Sequence, residues 1–201
     1  MKLIGMLDSP YVRRVAISAK CLRIDLEHES VSVFRHFEQF QQINTVVKAP
    51  TLILDDGMVL MDSTLILDYL ESASGKSLLP KELPQRAQAL RLIGLSLAAC
   101  EKAVQLYYER NLRPADIQYQ PWVERVEGQL AAAFTALEKE LEHRQLPIDG
   151  SLAQDGISLA VAWSFTDLVV PDQIDAARYP RIAEYTAYAE GTDAFLSTPM
   201  N

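Results

Sequence analysis

The chain has 201 residues, 49% of them apolar and 23% charged, and its 19 basic and 27 acidic side chains leave a net charge of −8. That length suits one large domain or two small ones. The acidic balance excludes a general nucleic-acid binder, and no apolar run approaches the roughly 18 residues that a transmembrane helix needs.

Residues 2–7 form a short apolar run containing Gly5, and Asp8, Ser9 and Pro10 then lead into an amphipathic pattern over 10–22. A strand turning directly into a helix is expected here, because Ser-Pro suits the N-cap and first helical positions. The capping box is incomplete, since Val12 is neither Glu nor Gln. This N-terminal pattern lacks the charged, apolar and small-residue regions of a signal peptide, so a cytoplasmic protein is expected.

Further strands are expected near 25–33, at 51–54 and at 58–61, with helices near 34–42 and at 62–74. Asp55-Asp56-Gly57 between two apolar runs is a hairpin signal. The order β-α-β-α-β-β-α implies a mixed sheet with helices packed on it. Gly75, Pro80 and Pro84 mark a linker over 75–83, so 1–74 and 84–201 are expected to be separate domains.

The second domain is expected to be all-helical. Leu90, Ile93, Leu97, Cys100, Val104 and Tyr107 form one helical stripe, and Val123, Val126, Leu130, Ala133, Leu137 and Leu141 form another. Residues 157–170 are apolar on nearly all sides and are expected at the buried centre. Short helices are expected around 172–178 and 180–190. Cys21 and Cys100 form no CxxC, and His28, His36 and His143 form no HExxH pair, so reduced thiols and no metal are expected.

Four groups of residues carry chemical potential. Ser9 begins a helix, where backbone N–H groups and the helix dipole favour an anion such as a thiolate, although capping alone also accounts for it. Pro50 opens a strand. A cis bond there would present the Ala49 backbone to a peptide-like ligand, whereas a strand-start proline needs no ligand. Asp62 and Ser63 begin another helix, either as caps or as a carboxylate and hydroxyl for an amino-acid head group. Tyr107, Tyr108, Arg110 and Trp163 supply aromatic and cationic groups in the helical half, where ordinary packing is the competing explanation.

Taken in order, Ser9-Pro10-Tyr11-Val12-Arg13, Asn44 to Pro50 and Asp62 to Glu71 resemble the glutathione S-transferase superfamily, most closely bacterial members of the Ser-type classes. The resemblance runs over the whole chain and implies an α+β protein: a thioredoxin-like N-terminal domain, a linker and an all-helical C-terminal domain. It implies that Ser9 is the catalytic hydroxyl on the glutathione sulfur. Ala49, before a cis Pro50, would pair with the cysteinyl part, Asp62 and Ser63 would hold the γ-glutamyl end, and Lys48 would meet the glycyl end. It further implies glutathione as co-substrate, a small electrophile held near Tyr107, Tyr108, Arg110 and Trp163 between the domains, no metal, a homodimer and a detoxifying role.

Two departures from the family pattern bear on these expectations. Thr45 and Val47 stand where relatives often have proline and glycine, which is expected to alter the glutathione loop. Ser158-Leu159-Ala160-Val161 keeps the serine of the family's Ser/Thr-x-x-Asp helix start and loses its aspartate, which is expected to weaken a folding element. A thiol-disulfide reductase is disfavoured by serine at position 9, where that chemistry wants cysteine. A glutathione-dependent isomerase or dehalogenase, and a non-catalytic binding protein of the same fold, are the alternatives.

Overall fold

The computed structural model describes residues 1–200. Strand β1 (Lys2–Ile4) pairs in parallel with β2 (Glu27–Glu29) and antiparallel with β3 (Thr51–Ile53), and β3 pairs antiparallel with β4 (Val59–Met61). The sheet order is β2-β1-β3-β4. Helices α1 (Pro10–Leu22), α2 (Phe37–Ile43) and α3 (Ser63–Ser74) complete the expected β-α-β-α-β-β-α order. The hairpin turns at Gly57, whose φ of +86° suits a residue without a side chain.

Successive strand residues face opposite sides of the sheet, and β1 shows this directly. Leu3 joins Leu52 against Val12, Val15 and Ala19 of α1 and Ile66, Leu67 and Leu70 of α3. Ile4 faces the other way, onto Val31 and Phe40 of the α2 side.

Residues 79–191 form a second compact unit built on α4 (Leu83–Asn111), α5 (Gln120–His143), α6 (Gln154–Val169) and α7 (Pro180–Glu190). Helix α6 is buried on all sides over most of its length, as its unbroken apolar sequence requires. Trp163 packs edge-on against Phe134 and Tyr179, with ring centroids 5.5 and 6.1 Å away. The buried carboxylate of Glu138 accepts the backbone N–H groups of Arg181 and Ile182 at the start of α7, where a helix N-terminus favours negative charge. Among the described residues, no helix is long and apolar enough to cross a membrane.

Three features differ from the sequence reading. Residues 172–178 are not a helix: a short 3-10 turn (Pro171–Gln173) is followed by a turn in which Asp175 accepts the N–H groups of Ala177 and Arg178. An aspartate bonded to the backbone in this way competes with helix formation. Second, the chain from Thr192 onward, including α8 (Asp193–Leu196), packs with the first unit. There Arg13 of α1 donates to the Thr198 carbonyl at 2.9 Å and lies 5.1 Å from the centre of the Phe195 ring.

Third, Ser158 does not begin α6. It lies one turn inside the helix and donates to the Gln154 carbonyl. The acid at the helix start is Asp155, fully buried, with a carboxylate oxygen 2.7 Å from Arg144. A buried carboxylate in the first turn of a helix meets the positive end of the dipole. The aspartate thought missing at Val161 is therefore present six residues earlier.

The two partners of this pair are unequally placed: the Arg144 side chain is 27% exposed and Asp155 is not exposed at all. Breaking a buried ion pair typically costs about 3–5 kcal/mol, mostly through the charge left behind. Arg144→Ala strands a carboxylate without solvent and should cost about 3–4 kcal/mol. Asp155→Ala leaves an arginine that can turn to water and should cost about 2 kcal/mol. Urea unfolding midpoints of both variants check this, and the reverse ranking would show that the pair does not dominate the α6 start.

Candidate functional site

Strand register decides which loops share a neighbourhood. Ile4 pairs with Glu29 on one side and with Thr51 on the other, and Thr51 pairs with Met61. The turn after β1, the loop after β2, the loop before β3 and the turn after β4 therefore all leave one end of the sheet. They carry Ser9, Arg35, Ala49-Pro50 and Asp62-Ser63 respectively.

Ser9 is the N-cap residue of α1, with extended backbone at φ −69° and ψ 123°. Its backbone accepts the Arg13 N–H at 2.9 Å, but its side chain makes no capping hydrogen bond. The hydroxyl is half-buried at a helix N-terminus and is not consumed by the cap. The capping explanation thus accounts for the backbone of Ser9 and leaves its hydroxyl available.

The Ala49-Pro50 bond is cis. Pro50 is buried and Ala49 half-buried, and among the described residues no protein group pairs with the N–H or C=O of Ala49. The loop is held from within. Asn44 accepts the Val46 N–H at 3.0 Å and donates to Thr51 Oγ1 at 2.8 Å, and that hydroxyl donates to the Lys48 carbonyl at 2.8 Å. Val47 sits at φ +52°, the left-handed region that glycine enters freely. The loop therefore keeps the backbone that a glycine would supply, and the expected alteration of its shape by Val47 does not occur. Gly5 ties the first turn to this loop: a Cβ built on it would lie 3.1 Å from the Ala49 Cβ and 2.6 Å from Val12.

Asp62 caps α3 at φ +67°, accepting the Thr64 N–H at 2.8 Å. Its second oxygen lies 3.8 Å from Lys48 Nζ, with both side chains about half exposed. Ser63 is buried, and its Oγ accepts from Arg14 of α1 at 3.2 Å, while Thr64 Oγ1 accepts from the same nitrogen at 3.3 Å. Arg14 thus joins the two helix starts. The sequence reading assigned no role to either Arg13 or Arg14. Two arginines on a helix whose buried face includes Pro10, Val12 and Val15 are the signal that they are internal and need partners.

Arg35 stands beside this end of the sheet, with its Nη2 3.4 Å from Met6 Sδ. Burial pushes the Asp8 carboxyl above its usual range, against the pull of the Ser9 N–H and of the Arg35 charge. Cys21 is half-buried, and burial raises its thiol, which makes it a poor nucleophile. Among the described residues no cluster of three His, Cys, Asp or Glu side chains could hold a metal.

The four residues proposed for an electrophile are not brought together as a set. Tyr107 and Tyr108 are neighbours on α4, with ring centroids 6.2 Å apart. Arg110 is committed to ion pairs with Glu127 at 2.5 Å and Asp172 at 3.0 Å, which tie α4 to α5 and to the 3-10 turn after α6. Trp163 is buried in the aromatic core.

A thioredoxin-like sheet, followed by a helical unit and carrying a helix-start serine, a cis-proline loop and an Asp-Ser helix start at one sheet end, defines a class of thiol-handling proteins. Residues 3–78 match the family model described as glutathione S-transferase, N-terminal domain. A glutathione transferase family member from Pseudomonas fluorescens Pf-5, solved with bound glutathione, is 26% identical with a TM-score of 0.86, covering 100% of this chain and 98% of that one. A glutathione S-transferase from Methylobacillus flagellatus KT, solved with GSH bound, is 25% identical with a TM-score of 0.89, covering 100% and 99%. Glutathione S-transferase theta-2 of Rattus norvegicus is 29% identical over 98% of this chain and 82% of its own length. The chain belongs to the glutathione S-transferase superfamily.

Asp8 gives a test of the electrostatics at this turn. With its folded pKa above the unfolded value, the native state holds the proton more tightly between those two values. Stability therefore falls as pH rises through that window and stays lower above it. Asp8→Asn should stabilise the protein at pH 7, and the gain should shrink as pH falls toward about 4, the ordinary carboxylate value. Urea midpoints at both pH values test this; a gain that does not change with pH would assign it to something other than the charge.

Proposed function

We propose that this chain is a glutathione transferase in which Ser9 activates the glutathione thiol for attack on a small electrophile. The observation that carries the reading is the Ser9 hydroxyl, placed at a helix N-terminus and not spent on capping. Glutathione offers an ammonium and a carboxylate at its γ-glutamyl end, a peptide-like cysteinyl centre and a glycyl carboxylate. The residues fit this chemistry. The Asp62 carboxylate suits the ammonium and the start of α3 suits the γ-glutamyl carboxylate, with Ser63 held in place by Arg14. The unpaired N–H and C=O of Ala49 suit the cysteinyl backbone. Lys48 suits the glycyl carboxylate; its ion pair with Asp62 is long and exposed, a kind worth about 0–1 kcal/mol, so an incoming ammonium displaces it readily.

A thiol of pKa about 8.5 is only a few per cent ionised at neutral pH, and lowering it by about two units corresponds to roughly 2.7 kcal/mol. A hydrogen bond to a charged sulfur supplies about 1.5–3 kcal/mol, and a helix N-terminus up to about 1 kcal/mol more. Ser9 therefore acts as a hydrogen-bond donor to the thiolate and not as a base. The thiol proton passes to solvent, the sulfur forms a bond to the electrophilic carbon, and the leaving group departs with its electron pair. Tyr107 and Tyr108 are our candidates for the electrophile, with Arg110 and Trp163 fixing the helices that present them. The isomerase and dehalogenase alternatives use the same thiolate. Val47 favours a binding-competent loop, because its backbone takes the glycine conformation.

Homodimerisation is part of this reading. Met58, Val59 and Met61 around the edge strand β4, and Leu65 and Tyr69 one turn apart on α3, leave an exposed apolar surface on the first unit. A second copy would cover it. The reduced thiols of Cys21 and Cys100 accord with a cytoplasmic location and a detoxifying role.

Glutathione binding by calorimetry and conjugation to 1-chloro-2,4-dinitrobenzene, in wild type and Ser9→Ala, test the activity. Ser9→Ala should lower kcat/KM about 30–100-fold and raise the pKa of the bound thiol, with Kd within about threefold. No glutathione binding would favour the non-catalytic reading, and equal rates would remove Ser9 from its role. For the dimer, Leu65→Asp should shift sedimentation from dimer to monomer; a wild-type monomer at micromolar concentration would refute it.

A further inference from the structure

A cavity of about 410 Å³ opens between the end of α4 and the start of α5, within the helical unit, lined by Tyr108, Leu112, Pro114 and Trp122 with Gln105, Glu109 and Arg113. Small-molecule sites commonly fall between about 300 and 1,000 Å³ and pair apolar walls with few polar groups. We propose that this cavity binds an uncharged, planar aromatic molecule carrying a neutral oxygen acceptor, and that it does so without glutathione.

The argument rests on which groups in the wall are already occupied. The buried carboxylate of Glu109 uses both oxygens: one accepts the Tyr119 N–H at 2.9 Å and the other faces Arg113 at 3.0 Å. The Gln105 amide donates to Glu101 and accepts from Lys102. The charges of the wall cancel within the protein, and its amide is spent on neighbours. An incoming ion would have to shed its water beside a neutralised pair with nothing to replace it. Uncharged ligands pay no such penalty.

The apolar groups are in the opposite condition. Trp122 is 38% exposed and Tyr108 is 40% exposed, one contributed by each helix. Aromatic side chains gain most when buried against other flat rings, and no aromatic ring of the described residues packs on Trp122. Its backbone N–H is bonded to the Tyr119 carbonyl, but its indole N–H donates to no described protein group. An aromatic ligand would cover the rings, and an oxygen on it could accept from the indole. The cavity is stiff enough to be selective: Gln118 donates to the carbonyls of both Arg110 and Arg113, bracing the turn that holds Leu112 and Pro114.

Tyr108 also figures in the proposed electrophile contact, so the inference shares one ring with that reading. The two are separable, because binding here is measured with no glutathione present. The chain has two tryptophans, Trp122 in the cavity and the buried Trp163, which serves as an internal reference. 4-Nitroanisole is flat, uncharged and quenches indole emission; 4-nitrobenzoate has nearly the same shape and carries a charge. Titration with 4-nitroanisole should quench the red-shifted emission of Trp122 saturably, with an unchanged fluorescence lifetime, and roughly tenfold more tightly than 4-nitrobenzoate. Trp122→Phe should abolish the quenching and leave the Trp163 emission in place. Tyr108→Ala and Leu112→Asp should each weaken the apparent affinity at least about fivefold, with circular dichroism and Trp163 emission unchanged. Linear quenching that shortens the lifetime, equal affinity for the charged compound, or full affinity in both cavity variants would overturn the proposal. If 4-nitroanisole binds and glutathione does not, the cavity stands and the transferase reading falls; the converse result removes only the cavity.

Discussion

The register row Glu29–Ile4–Thr51–Met61 is the constraint on which the candidate site depends. A one-residue slip in a strand would turn its side chains to the other face, and the two faces here bury different clusters. Leu3 and Leu52 are committed to α1 and α3, and Ile4 to Phe40 and Val31. The hydrophobic core therefore fixes the register, and the register fixes which loops emerge side by side. No residue of the proposed glutathione site has to hold the sheet in alignment, which leaves those loops free to carry chemistry.

Register alone brings the loops to one edge without locking them together. The buried guanidinium of Arg14 does that for the starts of α1 and α3, and the close approach of Gly5 to Ala49 does it for the cis-proline loop. A charged group in the interior needs polar partners, and the hydroxyls of Ser63 and Thr64 are among those it finds. One interaction thus satisfies a buried charge and sets the position of a residue proposed to hold glutathione. Asp62 and Val47, both at positive φ without being glycine, sit in the same small region. Backbone held in such conformations concentrates at functional sites, where the surrounding structure over-determines it.

Much of this was legible in the sequence, for a physical reason. The hairpin at Asp55-Asp56-Gly57, the Ser9-Pro10 helix start and the Asp62-Ser63 helix start are each set by a few adjacent residues. Local turn chemistry is what a sequence displays most directly. What was missed depends on distant partners. Arg13 finds the carbonyl of Thr198 and the ring of Phe195 some 185 positions away, and nothing near Arg13 announces that the chain end returns to α1. The start of α6 was misplaced for a related reason. Its sequence is apolar on every side, so periodicity gives no phase, and Ser158 was taken for a cap while the buried Asp155 was passed over.

The same limit explains the aromatic residues of the helical unit. Tyr107, Tyr108 and Arg110 are consecutive in type but point to different uses once α5 and α6 are packed: Arg110 closes an ion-pair network, and Trp163 completes a core. Trp122 drew no notice in the sequence because it is a lone aromatic just inside a helix start, after Pro121. Only the meeting of α4 and α5 gives it a cavity and a facing wall. Residue type announces a site when several reactive groups recur at fixed short spacing, as at the first three turns. A binding wall assembled from two helices has no such signature, because its members are chosen by packing angle and not by sequence distance. The asymmetry follows from construction. The part of the protein that handles a constant ligand would be written in local turns, and the part that meets a variable one in surfaces that only folding creates.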